Sequence, residues 1–347
     1  MQKGIEQMFQ RLVPGSRFHL FNVNSRGGGS VEYGLTHAAI ERANNEADLI
    51  VVGGSNLYEG SFRWPWGVHL EVDALKQLRV PLFLIGIGSG SSFSGALHRP
   101  SPGAEKEIKL LNHHAAFSGA RDVTTFEWLQ RLGIAKAKLM GDPATFIFNL
   151  PARYDRSGPV LISVPPRRFW SSKRQAWSVL TRGRAMFKAL NTVARRLSNE
   201  GRDVVVVCND PADLPTAISL FGWAPNPILC PQSPEDYFEV LSKSVAAVSG
   251  RLHTAVAAFS LGIPFVLIDV DQRTRGLIKT YQLEGWCLDP SQSGFERRLS
   301  EQVDRLLSID SARSWELLIA KRDEMYLRSM KMLKEALQAN VPQKLLS

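Results

Sequence analysis

Short apolar runs alternate with longer amphipathic stretches along almost the whole chain. The runs are rich in β-branched residues and too short to be helices, so each predicts a strand that is buried on both faces. The stretches between them have helical spacing, as in 68–78 and 185–197. This alternation predicts an α/β fold with parallel sheets and right-handed crossovers. The predicted strands are 18–23, 49–52, 81–85, 160–164, 204–207, 245–248 and 265–268.

The alternation is interrupted near the middle of the chain. Residues 150–159, LPARYDRSGP, combine prolines, a glycine and charged residues before a new strand begins. A chain of 347 residues also exceeds what one ordinary core supports. We therefore predict an N-terminal α/β domain over 1–150 and a C-terminal α/β domain over 151–310. Residues 311–347 are predicted to be a C-terminal helix that packs across the domain junction, in preference to a membrane-surface helix.

Composition narrows the class of protein. With 44% hydrophobic and 22% charged residues, the chain matches a packed globular protein and not a disordered or collagen-like one. Its three cysteines are far apart and lack Cys-x-x-Cys spacing, which argues against a disulfide framework or a zinc knuckle. Glu6 and Gln7 stand where a signal peptide needs its apolar core, and no apolar run approaches the ~20 residues of a membrane span. These features predict a cytoplasmic protein.

Positive charge is concentrated in one stretch of the chain. Lys and Arg number 42 against 33 for Asp and Glu, which gives a formal net charge of +9. Residues 156–199 contain no acidic residue but carry ten basic ones. The centre of this stretch, 165–177, follows a predicted strand, where ligand loops lie in α/β sheets. We predict that Arg167 and Arg168 hold an anionic or saccharide acceptor or meet an anionic membrane at its inner face. A solvated basic surface is the alternative, and no motif indicates a nucleic-acid partner.

Glycine-rich turns follow two predicted strands of the first half. Glycines after parallel strands let backbone amides approach an anion, although strand-to-helix turns also need them for purely structural reasons. Neither turn has P-loop spacing, and GIGSG at 86–90 lacks the third glycine of a dinucleotide site. We predict that these turns form acceptor-side loops. Their candidate residues are Gly53, Gly54, Ser55, Asn56 and Gly88.

The strongest candidate site follows the predicted strand 245–248. There SGRLHT, at 249–254, leads into a small apolar stretch. A helix that begins near Arg251 would direct backbone amides and the positive end of its dipole at an anion, beside a guanidinium and the imidazole of His253. The structural alternative is that His253 is a buried core residue. The predicted anion-site residues are Ser249, Gly250, Arg251 and His253.

An ordered series of motifs resembles the polysaccharide pyruvyltransferase family. The series covers nearly the whole chain, and its last motif is the most specific. The chain differs from many members at 22–29, where NVNSRGGG replaces an Asn-x-Gly-Asp-Glu-type loop. The motifs are VVGGSNLYEG at 51–60, GIGSG at 86–90, ARDVTT at 120–125, GDPA at 141–144 and SGRLHTAVAAFSLGIPFVLIDVD at 249–271.

The resemblance implies a fold, a reaction and a site. The fold would be two Rossmann-like domains similar to the GT-B glycosyltransferases, with the active site in the cleft between the domains. Phosphoenolpyruvate would be the donor, and its pyruvyl group would form a ketal on a saccharide or lipid-linked saccharide in cell-surface or exopolysaccharide biosynthesis. Arg251 and His253 match the family's donor-binding Arg-x-His, and Arg121 matches the arginine of its Arg-Asp motif.

The chemistry of the donor agrees with these residue types. Phosphoenolpyruvate presents a carboxylate beside a phosphate, which arginine forks orient better than lysines do, so Arg251 and Arg121 are the predicted donor-binding residues. His253 is the predicted acid and base, because an imidazole exchanges protons near neutral pH. No cofactor is predicted, and the absence of ligand-spaced His, Asp and Glu predicts no metal. The alternatives are a glycosyltransferase that uses a nucleotide sugar and a non-catalytic anion- or saccharide-binding protein of the same fold.

Overall fold

The chain forms two compact units in a computed structural model. Unit 1 comprises Met1–Ile147, Asp271–Thr280 and Arg322–Ser347, and unit 2 comprises Phe148–Val270 and Tyr281–Lys321. The chain therefore returns to unit 1 twice after Val270, whereas the sequence predicts consecutive domains. The structure describes residues 1–21, 34–54, 56–58, 67–89, 102–147, 157–165, 177–222, 226–270, 272–308 and 311–343.

Unit 1 is built on a parallel sheet whose described strands have the order β1-β2-β3-β4. Strand β2 is buried along its whole length. Successive side chains of a strand point to opposite faces, so Leu82 and Leu84 join one core cluster while Phe83 and Ile85 join another. The elements are α1 (Gln2–Leu12), α2 (His37–Glu46), β1 (Ile50–Gly53), α3 (Val72–Leu75), β2 (Leu82–Ile87), α4 (Pro102–His114), β3 (Phe117–Ala120), α5 (Val123–Arg131), β4 (Lys138–Leu139) and a 3-10 turn at Pro143–Phe146.

Unit 2 also has a parallel sheet, with the strand order β10-β9-β8-β5-β6-β7 among the residues described. The chain crosses from one unit into the other within helix α10 and again within helix α12. The strands and helices are β5 (Val160–Ser163), α6 (Trp177–Asn199), β6 (Val204–Val207), α7 (Leu214–Phe221), β7 (Ile228–Leu229), α8 (Pro234–Ser242), β8 (Ala246–Ser249), α9 (Leu252–Leu261), β9 (Phe265–Ile268), α10 (Gln272–Tyr281), β10 (Cys287–Leu288), α11 (Phe295–Leu307) and α12 (Ser311–Asn340). Two 3-10 turns lie at Pro211–Asp213 and Glu284–Trp286.

The strand order of unit 2 has a topological switch point between β5 and β8. From β5 the chain adds β6 and β7 on one side, and it then continues with β8, β9 and β10 on the other side. Val160 of β5 pairs with Val204 of β6 and with Ala246 of β8. Open parallel sheets bind ligands outside the carboxyl ends of their strands at such a point. The residues after Ser163 and Ser249 therefore occupy the favoured position for a binding site.

The structure confirms the α/β class with parallel sheets and corrects several predicted elements. Residues 18–21 of predicted strand 18–23 have no regular secondary structure, and Leu20 and Phe21 are exposed, so these four residues do not form a buried strand, while 22 and 23 lie outside the described residues. Strand β3 is missed by the sequence pattern because FSGA has one large apolar residue and no β-branched one, although all four residues are buried. The predicted C-terminal helix is present as α12. Its packing across the domain junction stays a prediction.

Candidate functional site

The predicted anion site begins where β8 ends. The Ser249 hydroxyl accepts a hydrogen bond from the Arg251 backbone N–H over 2.9 Å and donates one to the Arg251 carbonyl over 2.8 Å. A Cβ on Gly250 would lie 3.0 Å from the Pro165 Cγ and 3.1 Å from the Met186 sulfur, which is tighter than ordinary contact. The turn at Ser249 and Gly250 is thus closely packed, and it fixes the backbone that carries Arg251.

The Arg251 side chain reaches across the switch point. Its Nε donates a hydrogen bond to the carbonyl of Val164, the residue after β5, over 2.8 Å, and its Nη2 donates to the Asp213 carboxylate. The Asp213 side chain is 3% exposed and the Arg251 side chain is 18% exposed. These contacts use two of the five N–H donors of a guanidinium. Arg251 is therefore held in one orientation while part of its side chain is accessible.

Two effects act on the pKa of Arg251. Burial, the larger cause, lowers the pKa, whereas the carboxylates of Asp213 and Asp210 raise it. The ordinary pKa of arginine lies far above neutral, so the guanidinium stays charged at neutral pH. The site therefore combines a permanent cation with a buried carboxylate.

His253 lies in the first turn of α9, two residues after Arg251. Its side chain is exposed, while those of Leu252 and Thr254 are buried. The alternative that His253 is a buried core residue is thereby excluded. Arg251 is the N-cap residue of α9, and its side chain makes no capping hydrogen bond to the helix. A helix N-terminus with this arrangement is suited to an anion, with an imidazole beside it.

A network of hydroxyl and amide groups fixes the first turn of α9 to β5. The Thr254 hydroxyl donates a hydrogen bond to the Ser163 hydroxyl over 2.9 Å and accepts one from the Tyr237 hydroxyl over 2.6 Å. Ser163 in turn donates to the Asn209 side-chain oxygen over 2.7 Å. Burial raises the pKa of Tyr237, opposed by its hydrogen bond to Thr254. Tyr237 is thus a neutral donor, and the network holds the helix that carries His253.

In unit 1, Arg121 connects the glycine turns. Its Nη2 donates a hydrogen bond to the Asn56 side-chain oxygen over 2.5 Å, and its Nε donates to the Asp122 carboxylate over 3.3 Å. Arg121 is 4% exposed. A Cβ on Gly88 would lie 2.3 Å from the Arg121 Nη2, so the missing side chain at Gly88 makes room for the guanidinium. Gly54, in the other turn, has a φ of +77°, which favours glycine.

The carboxylate of Asp122 connects the ends of β2 and β3. It caps α5 by accepting hydrogen bonds from the Thr125 backbone N–H over 2.8 Å and from the Thr125 hydroxyl over 2.9 Å. The Ser89 backbone N–H donates to that hydroxyl oxygen over 2.7 Å. The Arg-Asp pair therefore organises three loops of unit 1 through buried contacts.

The described site candidates form two groups, one in each unit. Gly53, Gly54, Asn56, Gly88 and Arg121 lie in unit 1, while Ser249, Gly250, Arg251 and His253 lie in unit 2. The predicted cleft between the domains stays a prediction. Ser55, Arg167 and Arg168 lie outside the described residues.

Sequence reasoning misses Asp213 and the partners of Thr254. Asp213 lies 38 residues before Arg251, and Tyr237 lies 17 residues before Thr254. The one local signal is that Asn209 and Asp213 follow β6, at the same carboxyl edge of the sheet as the predicted site.

The described ranges contain neither a group of metal-ligating side chains nor a helix that could cross a membrane. Within them, no three His, Cys, Asp or Glu side chains are grouped in a way that would hold a metal ion. The helices in the same part of the chain do not combine the length and apolar character that crossing a membrane requires.

Comparisons with known proteins agree with the motif series. The sequence model of the polysaccharide pyruvyl transferase family matches residues 8–272. No curated protein matches the chain in sequence.

Solved structures resemble the chain in fold. UDP-GlcNAc 2-epimerase from Neisseria meningitidis, bound to UDP-GlcNAc, has a TM-score of 0.54 and 15% identity, over 87% of this chain and 79% of that chain. The Methanocaldococcus jannaschii UDP-GlcNAc 2-epimerase, in complex with UDP-GlcNAc and UDP, has a TM-score of 0.52 and 11% identity, over 88% of this chain and 89% of that chain. Similarity at these identities concerns the fold alone. The chain has a fold of the GT-B glycosyltransferase and epimerase type, as predicted.

Proposed function

Because the chain belongs to the polysaccharide pyruvyl transferase family, we propose that it transfers the pyruvyl group of phosphoenolpyruvate to saccharide hydroxyls as a ketal. The observation that supports this proposal most is the position of Arg251 and His253 at the switch point of unit 2. The acceptor in the proposal is a saccharide or lipid-linked saccharide of cell-surface or exopolysaccharide biosynthesis.

Arg251 is the proposed anchor of the donor. Its contacts to Val164 and Asp213 fix the plane of the guanidinium, and the remaining N–H donors are available to a carboxylate or phosphate. A fixed fork costs little ordering when the donor binds, which favours an oriented complex. The first turn of α9 adds backbone N–H groups and the positive end of a helix dipole.

His253 is the proposed acid and base. Ketal formation needs a proton on the methylene carbon of the donor, attack of one hydroxyl oxygen on the adjacent carbon, and loss of its own proton by that hydroxyl. The bond from this carbon to the phosphate oxygen then breaks, phosphate leaves, and a second hydroxyl closes the ring and loses its proton. An exposed imidazole in the first turn of α9 is able to donate the first proton and accept a later one.

Arg121 has a different role in this proposal from the one that the motif implies. A guanidinium that is 4% exposed and bonded to Asn56 and Asp122 is suited to shaping loops. We assign it the positioning of the turns at Asn56 and Gly88, which we propose as the acceptor side. Arg167 and Arg168 remain proposed acceptor-side cations.

Ligand-dependent stability tests the donor. Phosphoenolpyruvate at 100 times its Kd should stabilise the folded chain by about 2.7 kcal/mol, with sulfate at the same concentration as the control for general anion binding. Release of phosphate on addition of saccharide, with a saccharide product heavier by one pyruvyl group, would support the transfer reaction.

The alternatives give different results in the same experiment. Stabilisation by a nucleoside diphosphate, with no effect of phosphoenolpyruvate, would replace the proposal by a nucleotide-sugar glycosyltransferase. The Neisseria meningitidis protein of similar fold is bound to UDP-GlcNAc, so UDP is the appropriate probe. Donor binding without phosphate release, over a panel of saccharides, would instead favour a non-catalytic binding protein.

A further inference from the structure

A pocket of about 330 Å³ lies on the surface of α6 and contains none of the predicted site residues. Its floor includes Phe187, which is completely buried, and the edge of α7 at Leu220. The Asn191 side chain donates a hydrogen bond to the Leu220 carbonyl over 2.7 Å, which joins the two helices at this pocket. The lining residues are Arg184, Phe187, Lys188, Asn191, Thr192, Arg195 and Leu220.

The cations of this pocket lie along one face of the helix. Positions 184, 188, 191 and 195 are separated by four, three and four residues, and such spacings place side chains on the same side of an α-helix. Arg184, Lys188 and Arg195 are exposed. The row from Arg184 to Arg195 extends about 16 Å along the helix axis. It is therefore longer than a single phosphate group can contact.

One carboxylate partly offsets these charges. Glu296 of α11 lies 3.0 Å from the Lys188 amine and accepts a hydrogen bond from the Thr192 hydroxyl over 2.9 Å. The hydrogen bonds from Lys188 and Thr192 lower the pKa of Glu296, so this carboxylate is ionised at neutral pH. With three cations and one carboxylate, the pocket has a positive charge.

We propose that this surface docks the protein on the phosphate headgroups of an anionic phospholipid membrane. We call it the α6 basic face and define it by Arg184, Lys188, Asn191, Thr192 and Arg195. A row of separated cations matches a row of headgroup phosphates, whereas one soluble phosphate would engage only part of it. The proposal goes beyond the proposed function, because docking needs neither donor nor acceptor.

The chemistry of the face favours a membrane over a single-stranded nucleic acid. Single-stranded nucleic acids bind through aromatic rings on which bases stack, in addition to cations. Phe187 is the aromatic residue among the described lining residues, and it is completely buried. Nucleic-acid binding is therefore kept as an outcome of the test.

Vesicle sedimentation tests the proposal directly. The full chain, without donor, is mixed with phosphatidylcholine vesicles that contain or lack phosphatidylglycerol. We expect binding only to vesicles with phosphatidylglycerol, and loss of binding as salt shortens the Debye length from about 10 Å at 0.1 M to about 3 Å at 1 M. No binding to the anionic vesicles at low salt overturns the proposal. Since phosphoenolpyruvate is absent, this result is independent of the proposed transfer reaction.

Three sets of substitutions locate the surface. A basic residue near an anionic membrane contributes roughly a fivefold increase in binding, so R184Q/K188Q/R195Q should lower the vesicle partition constant roughly 100-fold. The control K106Q/R131Q/K138Q removes three exposed cations of unit 1 and should change it less than about twofold. E296Q should raise it about fivefold, an opposite sign that damage to the fold would not produce.

The same variants also define the binding results that would contradict the proposal. Thermal unfolding of each variant verifies that the chain is folded. Equal losses in the α6 and control sets would show that general charge, and not this face, drives binding. Binding to a single-stranded oligonucleotide that R184Q/K188Q/R195Q abolishes, with vesicle binding unchanged, would assign the face to a nucleic acid.

Discussion

Asp213 and Arg251 form an ion pair at the carboxyl edge of the unit 2 sheet, with the carboxylate almost completely buried. Asp213 ends a 3-10 turn after β6, and Arg251 follows β8. The pair therefore links the ends of β6 and β8, the two strands that flank β5. It orients the guanidinium that we propose as the donor anchor. Loss of the pair should therefore affect both the stability of the fold and the binding of the donor.

Loss of the Asp213 carboxylate should destabilise the protein. Breaking a buried ion pair from one side costs about 3–5 kcal/mol, and the partial exposure of Arg251 reduces this, so we expect Asp213→Ala to lower the free energy of unfolding by about 2–3 kcal/mol. Asp213→Asn retains a hydrogen-bond acceptor and should lower the free energy of unfolding by about half as much. Urea unfolding measures both. In a double-mutant cycle with Arg251→Met, strict additivity of the two losses would contradict the pairing.

Substitution of Arg251 by Lys should weaken donor binding although the charge is kept. A lysine cannot donate to the Val164 carbonyl and the Asp213 carboxylate while also presenting a fork to the donor. We expect the Kd for phosphoenolpyruvate, measured by calorimetry, to rise at least about tenfold. Arg297→Lys is the matched control, because Arg297 is an exposed arginine of the same unit. Equal affinities of the two variants would remove Arg251 from the donor site.

Site residues that are neighbours in the sequence can be predicted, whereas contacts between residues that are far apart in the sequence cannot. Ser249 to His253 are contiguous, and their position after an apolar run places them correctly at a strand end. The partners of Arg251 are 38 and 87 residues away, and only the strand order of the sheet brings them to it. No local pattern encodes that order, so sequence reasoning finds the guanidinium and misses the carboxylate that orients it.

The same limit applies to unit 1. The motif series marks Arg121, Asn56 and Gly88 individually, and the structure brings them into contact. The sequence does not indicate that Arg121 is buried, because the adjoining strand β3 has one large apolar residue and no β-branched one and is not recognised as core. A buried arginine is suited to shaping a loop and an exposed one to binding a ligand. The burial of Arg121 depends on the packing of the whole unit.

An added side chain at Gly88 should displace Arg121. A Cβ there would lie 2.3 Å from the Arg121 Nη2 and 2.4 Å from its Cζ, so Gly88→Ala should break the contact with Asn56. Overpacking of this kind costs about 1–3 kcal/mol, to be measured by urea unfolding. Gly285→Ala is the control, since a Cβ at Gly285 meets no described heavy atom within 4 Å. A Gly88→Ala variant as stable as this control would show that the Arg121 guanidinium moves aside without loss of stability.

The buried thiol of Cys208 should resist alkylation in the folded protein. Burial raises its pKa from 9.0 to about 12, so its thiolate fraction at pH 8 is about a thousandfold below that of an ordinary thiol. Because the folded-state pKa is raised, this group's contribution to stability is complete below pH 9 and is lost as the pH rises through about 12. Iodoacetamide labelling at pH 8, followed by peptide mass spectrometry, should modify the partly exposed Cys230 and Cys287 first. Labelling of Cys208 at their rate without denaturant would contradict its burial.

Substitution of His253 separates binding from chemistry. If the imidazole transfers a proton in the rate-limiting step, His253→Gln should lower kcat roughly 100-fold to 10,000-fold, the usual contribution of a positioned acid or base. Donor affinity should be retained, because Arg251 is held by Val164 and Asp213 independently of His253. Both quantities are needed, with donor Kd from calorimetry and kcat from phosphate release.

The pH profile and a neighbouring variant complete this test. The limb of the kcat profile that belongs to the imidazole should be absent in His253→Gln. Thr254→Val is the comparison, because it removes the hydroxyl that fixes the same helical turn to Ser163 while leaving the imidazole in place. It should lower kcat less than His253→Gln does and keep the limb. A His253→Gln variant that turns over normally, or one that only fails to bind phosphoenolpyruvate, would show that another group moves the proton.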